Sequence, residues 1–225
     1  MTAAPEPAIV AERVERLRER LVELAPDRDV RVVAVTKGFD VGAPRAALAA
    51  GVTMLGENYA QELIAKNDAL DVDERARVEW HFLGRLQRNK VRVLAPIVAV
   101  WQSVDRTELI DEIARRAPGA RVMIQANLSG EPQKGGAPLA EVPALVERAR
   151  ALGLAVVGLM GVGAAGDPRL SAEGFMALVD QADDLGLVER SIGMSDDLEA
   201  AVGAGSTMVR VGTGLFGPRN GAGRP

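Results

Sequence analysis

The sequence predicts a single (β/α)₈ barrel of the TIM type with one additional helix at its amino terminus. Short β-branched or apolar segments alternate with segments of helical periodicity along the 225-residue chain. Eight strand-like segments occur at intervals of roughly 20 to 30 residues, which is typical of a barrel of parallel strands. The rival architecture, an open doubly wound sheet, more usually has fewer strands and a glycine fingerprint after its first strand. That fingerprint is missing here, so the barrel is favoured.

The predicted strands are short apolar runs, and the first of them indicates a parallel sheet. Val32–Val35 is a run of four apolar residues, the pattern of a strand that is buried on both faces. In chain order, the predicted strands are 30–37, 52–55, 78–84, 97–102, 121–127, 155–160, 191–194 and 207–212.

Helices are predicted before the first strand and between the strands. Apolar residues recur at helical spacing from Ile9 to Leu24, and Pro26 stops this run. Because the barrel uses the whole chain, we expect one domain over 1–225, with disordered ends at Met1–Pro7 and Asn220–Pro225. The predicted helices are 9–24, 44–50, 57–70, 87–94, 107–116, 139–152, 172–185 and 196–202.

Composition excludes several classes of function. The formal net charge of −4 gives no support for binding nucleic acid or an anionic membrane. The lack of cysteine excludes disulfides and thiolate chemistry, and one histidine is too few for a histidine-rich metal site or a catalytic triad. The amino terminus does not resemble a signal peptide, and no apolar run approaches the roughly 20 residues of a membrane span. We therefore expect a cytoplasmic protein without a metal site.

Lys37 is the most unusual residue of the predicted strands. It ends the first strand and is one of four lysines, and the others, Lys66, Lys90 and Lys134, lie among polar neighbours. Burying an ammonium without a partner is costly, and burial lowers the pKa of a lysine and makes its amine nucleophilic. Such an amine suits Schiff-base chemistry with an aldehyde or ketone. The alternative is a strand-end lysine that reaches solvent or a carboxylate.

The carboxyl ends of the last two strands offer groups that can hold a phosphate. In such barrels the loops after strands seven and eight often do so. Ser195 begins a predicted helix, where it can serve as an N-cap or expose free amides to an anion. Gly212-Thr213-Gly214 can form a plain turn or an amide cradle with the Thr213 hydroxyl. With Lys37 and with Arg210 on strand eight, these groups fit pyridoxal 5'-phosphate (PLP): an imine to the lysine, a bound phosphate and a pyridine nitrogen facing the arginine.

Six segments in one order give this chain its resemblance to a known family. It resembles the pyridoxal phosphate homeostasis proteins, single barrels similar to the amino-terminal domain of alanine racemases. Arg85, Gly38–Asp40 and Val162 depart from the usual pattern beside the site and leave the cofactor assignment intact. The matching segments are Ala34–Lys37, Gly56–Glu62, Trp80–Lys90, Gly158–Gly161, Gly193–Asp197 and Val209–Gly217.

The resemblance implies a set of cofactor-binding residues and no catalytic or metal-binding residue. It implies Lys37 as the lysine that forms the imine, Arg210 as the partner of the pyridine nitrogen and Asn58 beside the ring. Around the phosphate it implies Met194, Ser195, Gly212 and Thr213.

The leading hypothesis is a non-catalytic PLP binder that keeps the free cofactor low, with PLP-dependent apo-enzymes as possible recipients. The alternative is a weak amino-acid racemase, which needs a base on each face of the substrate's α-carbon. The racemases take their second base, a tyrosine, from a second domain that is missing here, so His81 or water would have to serve. The other interpretation of His81 is a histidine packed in the core, with its polar atoms satisfied there.

A third hypothesis, a Schiff-base aldolase, needs an acid/base carboxylate beside the lysine. No clear candidate is found, since Glu57 and Asp105 are interpreted as helix-start residues. With no covering domain, a monomer is expected.

Overall fold

A computed structural model describes residues 1–130, 135–163 and 168–218. Within these ranges, eight parallel strands close into a barrel in chain order, from β1 to β8, with β8 paired to β1. This confirms the predicted fold class. The strands are β1 Arg31–Val35, β2 Met54–Glu57, β3 Glu79–Phe82, β4 Val98–Val104, β5 Arg121–Asn127, β6 Ala155–Val162, β7 Glu189–Ser191 and β8 Met208–Val211.

Helices surround the barrel and follow its strands. The additional helix, α1, buries Val10, Val14 and Leu21 on one face, and Arg13 Nη1 donates a hydrogen bond to the carbonyl of Leu215. The helices are α1 Pro7–Leu24, α2 Gly42–Ala49, α3 Ala60–Ala69, α4 Val72–Arg77, α5 Arg88–Leu94, α6 Thr107–Arg116, α7 Val142–Ala151, α8 Pro168–Asp184, α9 Leu198–Ala204 and α10 Thr213–Phe216.

The core has an outer layer between helices and strands and an inner layer inside the barrel. The outer layer is built from Leu, Ile, Val, Ala and aromatic side chains. The inner apolar layer is small, with Val33, Val100, Met123, Met160 and Met208 at its centre. Since successive strand residues point to opposite faces, each strand contributes to both layers. Buried polar side chains lie elsewhere in the described residues, among them His81, Gln102 and Arg210, and they support the site described below.

Several boundaries differ from the sequence prediction. Strand β2 lies two residues later than predicted, because Leu55 and Gly56 pair with Ala34 and Val35 of β1. Helices α4 and α10 were not predicted, since Val72–Arg77 is mostly charged and Thr213–Phe216 follows a glycine.

The predicted disorder of Met1–Pro7 also differs from the structure. Thr2 forms a β-bridge with Phe39, its amide donates to the Gly38 carbonyl at 2.7 Å, and its carbonyl accepts from the Asp40 amide. These backbone bonds hold the segment beside the loop after β1. The predicted disordered end, Asn220–Pro225, lies outside the described residues.

Among the helices of the described residues, none combines the length and the apolar character needed to cross a membrane.

Candidate functional site

A cavity of about 530 Å³ opens at the carboxyl end of the barrel. Its walls come from the last residues of the strands and from the loops that follow them, which is where barrels of this type carry their sites. All seven residues that the sequence predicts for a site line this one cavity: Lys37, Asn58, Met194, Ser195, Arg210, Gly212 and Thr213.

Lys37 lies on the wall of the cavity two residues after β1 ends. Thr36 is buried, Lys37 is half-buried, and Gly38 adopts a positive φ of 79° that favours glycine. The backbone therefore turns sharply just after the lysine. This turn is held by side chains from β2 and α3.

Four residues form a buried group beside Lys37, which we call the Lys66 cluster: Thr36, Glu57, Glu62 and Lys66. Lys66 Nζ donates to the carbonyl of Thr36 at 2.7 Å and forms an ion pair with Glu57. Glu62 lies 3.5 Å from Lys66 Nζ and accepts the amide of Gly38 at 2.7 Å. The cluster thus binds the backbone on both sides of Lys37.

Glu57 links the same cluster to the next predicted site residue. Its carboxylate accepts the hydroxyl of Thr36 at 2.8 Å and the amide of Asn58 at 3.1 Å. Burial raises the pKa of Glu57, and the Lys66 ammonium opposes that rise. The interpretation of Glu57 as a helix-start residue was wrong, because Glu57 ends β2. Lys66 does have polar neighbours, but it is buried like Glu57, and both side chains are at most 1% exposed.

Asn58 is positioned from its other side by a glycine. A Cβ built on Gly84 would lie 1.9 Å from the carbonyl oxygen of Asn58, so the two backbones touch. Any larger residue at position 84 would push the Asn58 backbone away. Residue 84 is therefore a glycine because only a residue without a side chain lets the two backbones pack this closely.

Arg210 is buried at the floor of the cavity. Its Nη1 donates to the carbonyl of Ser191 at 2.5 Å and to the Ser191 hydroxyl at 2.9 Å, and its Nη2 donates to the carbonyl of Gly161 at 2.8 Å. Burial lowers the pKa of Arg210 to about 10, and the charge of Asp197 opposes this shift. The guanidinium therefore remains a cation at neutral pH.

A row of hydrogen bonds runs from Arg210 through the barrel interior, and we call it the Arg210 chain. Ser191 Oγ lies 2.7 Å from Gln102 Oε1, and Gln102 Nε2 lies 2.6 Å from His81 Nδ1. His81 Nε2 lies 3.2 Å from Glu79 Oε1, the first residue of β3. The chain thus connects the cavity to the opposite end of the barrel.

His81 belongs to this chain and does not line the cavity. Burial lowers its pKa, while Glu79 opposes the shift. The hydrogen bond from His81 holds the pKa of Glu79 at about 2, and burial opposes this. A neutral imidazole beside an ionised carboxylate is the expected state at neutral pH.

The rim of the cavity joins the loops after β7 and β8. The amide of Gly214 donates to Ser195 Oγ at 3.3 Å, and the Met194 amide donates to Asp197 Oδ1 at 2.5 Å. Helix α9 begins at Leu198 with Asp197 as its N-cap residue, so Ser195 does not cap it as the sequence suggested. In α10 the amides of Leu215 and Phe216 donate to the carbonyl of Gly212, so only the amides of Thr213 and Gly214 lack an acceptor within the helix. The exposed rim therefore carries hydroxyl and amide donors.

Asp105 also lines the cavity, although the sequence assigned it to a helix start. It follows β4, and α6 begins two residues later at Thr107. Asp105 Oδ2 accepts the amide of Gly136 at 3.2 Å. A position directly after a barrel strand was the signal that could have identified it.

Comparison with known proteins identifies the family of this chain. Residues 9–220 match the family described as alanine racemase, N-terminal domain. The pyridoxal phosphate homeostasis protein of Pseudomonas aeruginosa is 37% identical over 226 residues, which cover 94% of this chain and 96% of that protein. The corresponding protein of Deinococcus radiodurans is 41% identical over 83% of this chain and 88% of its own length.

A solved structure shows the same similarity. PipY of Synechococcus elongatus, determined with PLP bound, superposes with a TM-score of 0.79 at 31% identity, over 92% of this chain and 99% of PipY. The family match and these relatives show that the chain belongs to the pyridoxal phosphate homeostasis protein family, whose barrel is of the alanine racemase N-terminal type.

Proposed function

We propose that this chain binds PLP covalently through Lys37 and holds it as an intracellular reserve, without a catalytic cycle of its own. The observation that carries this proposal is the single cavity that contains all seven residues predicted for the cofactor. The names of the curated relatives, and PLP bound in PipY, support the same assignment.

The cavity suits PLP in its donor groups. PLP supplies an aldehyde that reacts reversibly with a primary amine, together with a pyridine nitrogen and a phosphate. Lys37 offers the amine, and Arg210 offers a buried cationic donor at the floor. A Cβ built on Gly214 would lie 3.2 Å from Ser195 Oγ, so glycine keeps the space between the two rim loops open. These features fit the cofactor.

Each predicted residue has a definite task in this proposal. Lys37 is held by the Lys66 cluster with its amine on the cavity wall, and Asn58 lies beside the ring. Ser195 and Thr213 offer hydroxyls, and Gly212 lets the backbone of α10 approach the phosphate. The Met194 amide would have to exchange Asp197 for the phosphate, because it donates to that carboxylate now.

Arg210 favours binding over catalysis. A guanidinium can only donate hydrogen bonds, so it favours an unprotonated acceptor opposite it. That arrangement disfavours the protonated pyridine that stabilises negative charge in many PLP enzymes. We therefore propose a carrier role for the site.

The racemase alternative needs a second base, and the two candidates are poorly placed. Tyr59, the only tyrosine of the chain, is 51% exposed and is not part of the cavity lining. Both ring nitrogens of His81 are engaged, by Gln102 and Glu79. Either side chain would have to move before it could reach a bound substrate.

An open rim supports exchange of the cofactor with other proteins. Met194, Ser195 and Thr213 are exposed around the mouth of the cavity. We propose that a monomer in the cytoplasm takes up PLP there and releases it to PLP-dependent apo-enzymes.

The first test is the visible absorbance of the purified protein with PLP, before and after borohydride, for wild type and Lys37→Ala. We expect a band that borohydride bleaches in wild type, with the added mass on the Lys37 peptide, and no such band in the variant. Lys90→Ala is the matched control and should behave like wild type, because Lys90 does not line the cavity.

Unchanged absorbance of wild type after addition of PLP would overturn the proposal. Racemisation of alanine by the loaded protein, at a rate well above free PLP, would favour the enzyme. Reactivation of an apo-enzyme by the loaded protein would support the carrier.

A further inference from the structure

We propose that Gln102, His81 and Glu79 position Arg210 for the bound cofactor, through a row of hydrogen bonds that all point in one direction. The inference rests on the proposed function, since Arg210 is there the partner of the pyridine nitrogen. The three residues do not line the cavity, so they act through Arg210. We call them positioning residues.

The two ends of the Arg210 chain fix its direction. A guanidinium can only donate, and an ionised carboxylate can only accept. Arg210 therefore donates to Ser191, whose hydroxyl donates to Gln102 Oε1. The Gln102 amide then donates to His81 Nδ1, which leaves the imidazole proton on Nε2, facing Glu79.

This arrangement replaces a direct ion pair. The recorded hydrogen-bond partners of the Arg210 guanidinium are two carbonyls and one hydroxyl, all neutral. The carboxylate of the chain is Glu79, at the far end of the barrel and held by Arg121 at 2.9 Å. Hydrogen bonds in a row polarise one another in a low-dielectric interior. The charge of Glu79 therefore strengthens the acceptor that Ser191 offers to Arg210.

For the cofactor, the consequence is that the plane of the Arg210 guanidinium is fixed. If Gln102 no longer accepts the hydrogen bond from the Ser191 hydroxyl, this hydroxyl can rotate, and its contact with Arg210 Nη1 loosens. Arg210 would then meet the ring nitrogen in a less defined geometry. Binding would weaken, and the absorbance of the bound cofactor would change.

A test without cofactor addresses the direction of the chain. His81 is the only histidine, so its imidazole nitrogens can be assigned by ¹⁵N NMR without ambiguity. We expect a neutral ring with its proton on Nε2 at neutral pH. A proton on Nδ1, or a charged ring, would overturn the inference.

The test with cofactor uses two pairs of variants. Gln102→Met breaks the Arg210 chain. Its control is Ser103→Ala, which removes the buried hydroxyl of the next residue of β4; among the described residues, this hydroxyl has no hydrogen-bond partner. We expect Gln102→Met to raise the Kd for PLP about tenfold and to shift the bound absorbance, whereas Ser103→Ala keeps both at wild-type values.

The second pair acts at the far end of the barrel, where misfolding is less of a concern. Glu79→Gln removes the negative charge that ends the Arg210 chain. Its control, Glu189→Gln, removes the carboxylate of the first residue of β7, which pairs with Arg31 and is not part of the Arg210 chain. We expect Glu79→Gln to change the Kd for PLP and the bound absorbance in the same direction as Gln102→Met, but by less. Glu189→Gln should keep both at wild-type values.

The outcomes separate this inference from the proposed function. If wild type binds PLP and the chain variants match their controls, the positioning role is wrong and the binding function stands. If Glu79→Gln and Glu189→Gln change the Kd and the absorbance equally, the general electrostatic field of the barrel end is responsible and not the Arg210 chain, so the inference also fails. If wild type takes up no PLP, the proposed function fails, and the positioning role with it.

Discussion

Beside Lys37, the positive charge of Lys66 is neutralised by Glu57 and Glu62 within the same cluster, whereas the hydrogen bonds that start at Arg210 end on a carboxylate at the other end of the barrel. The first arrangement is compact and charged. The second is extended, with three uncharged side chains between its charged ends. The comparison indicates that the Lys66 cluster mainly stabilises the backbone around Lys37, while the Arg210 chain mainly adjusts one side chain. Stability and ligand binding should therefore respond differently when each is broken.

The largest expected effect is on folding, from Lys66→Met. Removing the ammonium leaves the buried Glu57 carboxyl without its main partner, so we expect a loss of about 3 to 5 kcal/mol in the free energy of unfolding. Urea denaturation measures it. The double variant Lys66→Met/Glu57→Gln should be more stable than Lys66→Met alone, because the carboxyl without a partner is gone.

Arg45→Met is the matched control for the cluster, since Arg45 forms its ion pair with Glu74 at the surface. It should leave the urea midpoint almost unchanged. Equal losses for Lys66→Met and Arg45→Met would contradict the role of the cluster.

A smaller effect on folding is expected from Arg210→Lys. Lysine keeps the charge but loses the planar fork that reaches both Ser191 and Gly161. Leaving one buried carbonyl unsatisfied costs about 1 to 3 kcal/mol. Urea denaturation and PLP titration should show a moderate loss of stability with a clear loss of affinity. Arg77→Lys is the control, because the Arg77 guanidinium donates to the carbonyl of Leu48 and does not line the cavity. Affinities that fall equally in both variants would argue against a special role for Arg210.

The smallest effect concerns pH. Burial lowers the pKa of His81 below its ordinary value of 6.5, so the unfolded chain binds the proton more readily. The stabilisation is fully present above pH 6.5 and is lost as the pH falls from there through the folded-state pKa. The groups that surround this imidazole are Glu79, Gln102, Arg31 and Arg121.

Urea midpoints of wild type and His81→Asn, measured between about pH 8 and pH 5, test this expectation, since histidine is the side chain that ordinarily titrates there. The wild-type midpoint should fall towards acid more steeply than that of the variant. Parallel curves would mean that His81 does not contribute.

The barrel was predictable because β-branched runs report burial on both faces of a strand, as in Val32–Val35. Boundaries were less accurate where pairing decides them, as for β2, whose register is set by β1 and β3. Helix α10 could not be recognised because the sequence around Gly212 and Gly214 is equally typical of a turn.

The residues around the cavity were identified from strand ends and from the family resemblance, but the side chains that support them were not. Lys66 was overlooked because charged residues are usually exposed. Its spacing carried a signal, since Leu63, Lys66 and Leu70 follow one helical face and all three are buried. Gln102 and Ser191 gave no such signal, because only the closed barrel brings β4 and β7 together.

The bridge between Thr2 and Phe39 has a practical consequence for experiments on this protein. Phe39 lines the cavity, and the Thr2 amide is bonded to the carbonyl of the residue that follows Lys37. An affinity tag fused to Met1 would therefore start close to the cavity mouth. Removing the tag before PLP titration avoids an effect of the tag on the measured affinity, and titrating tagged and cleaved protein side by side shows how large that effect is.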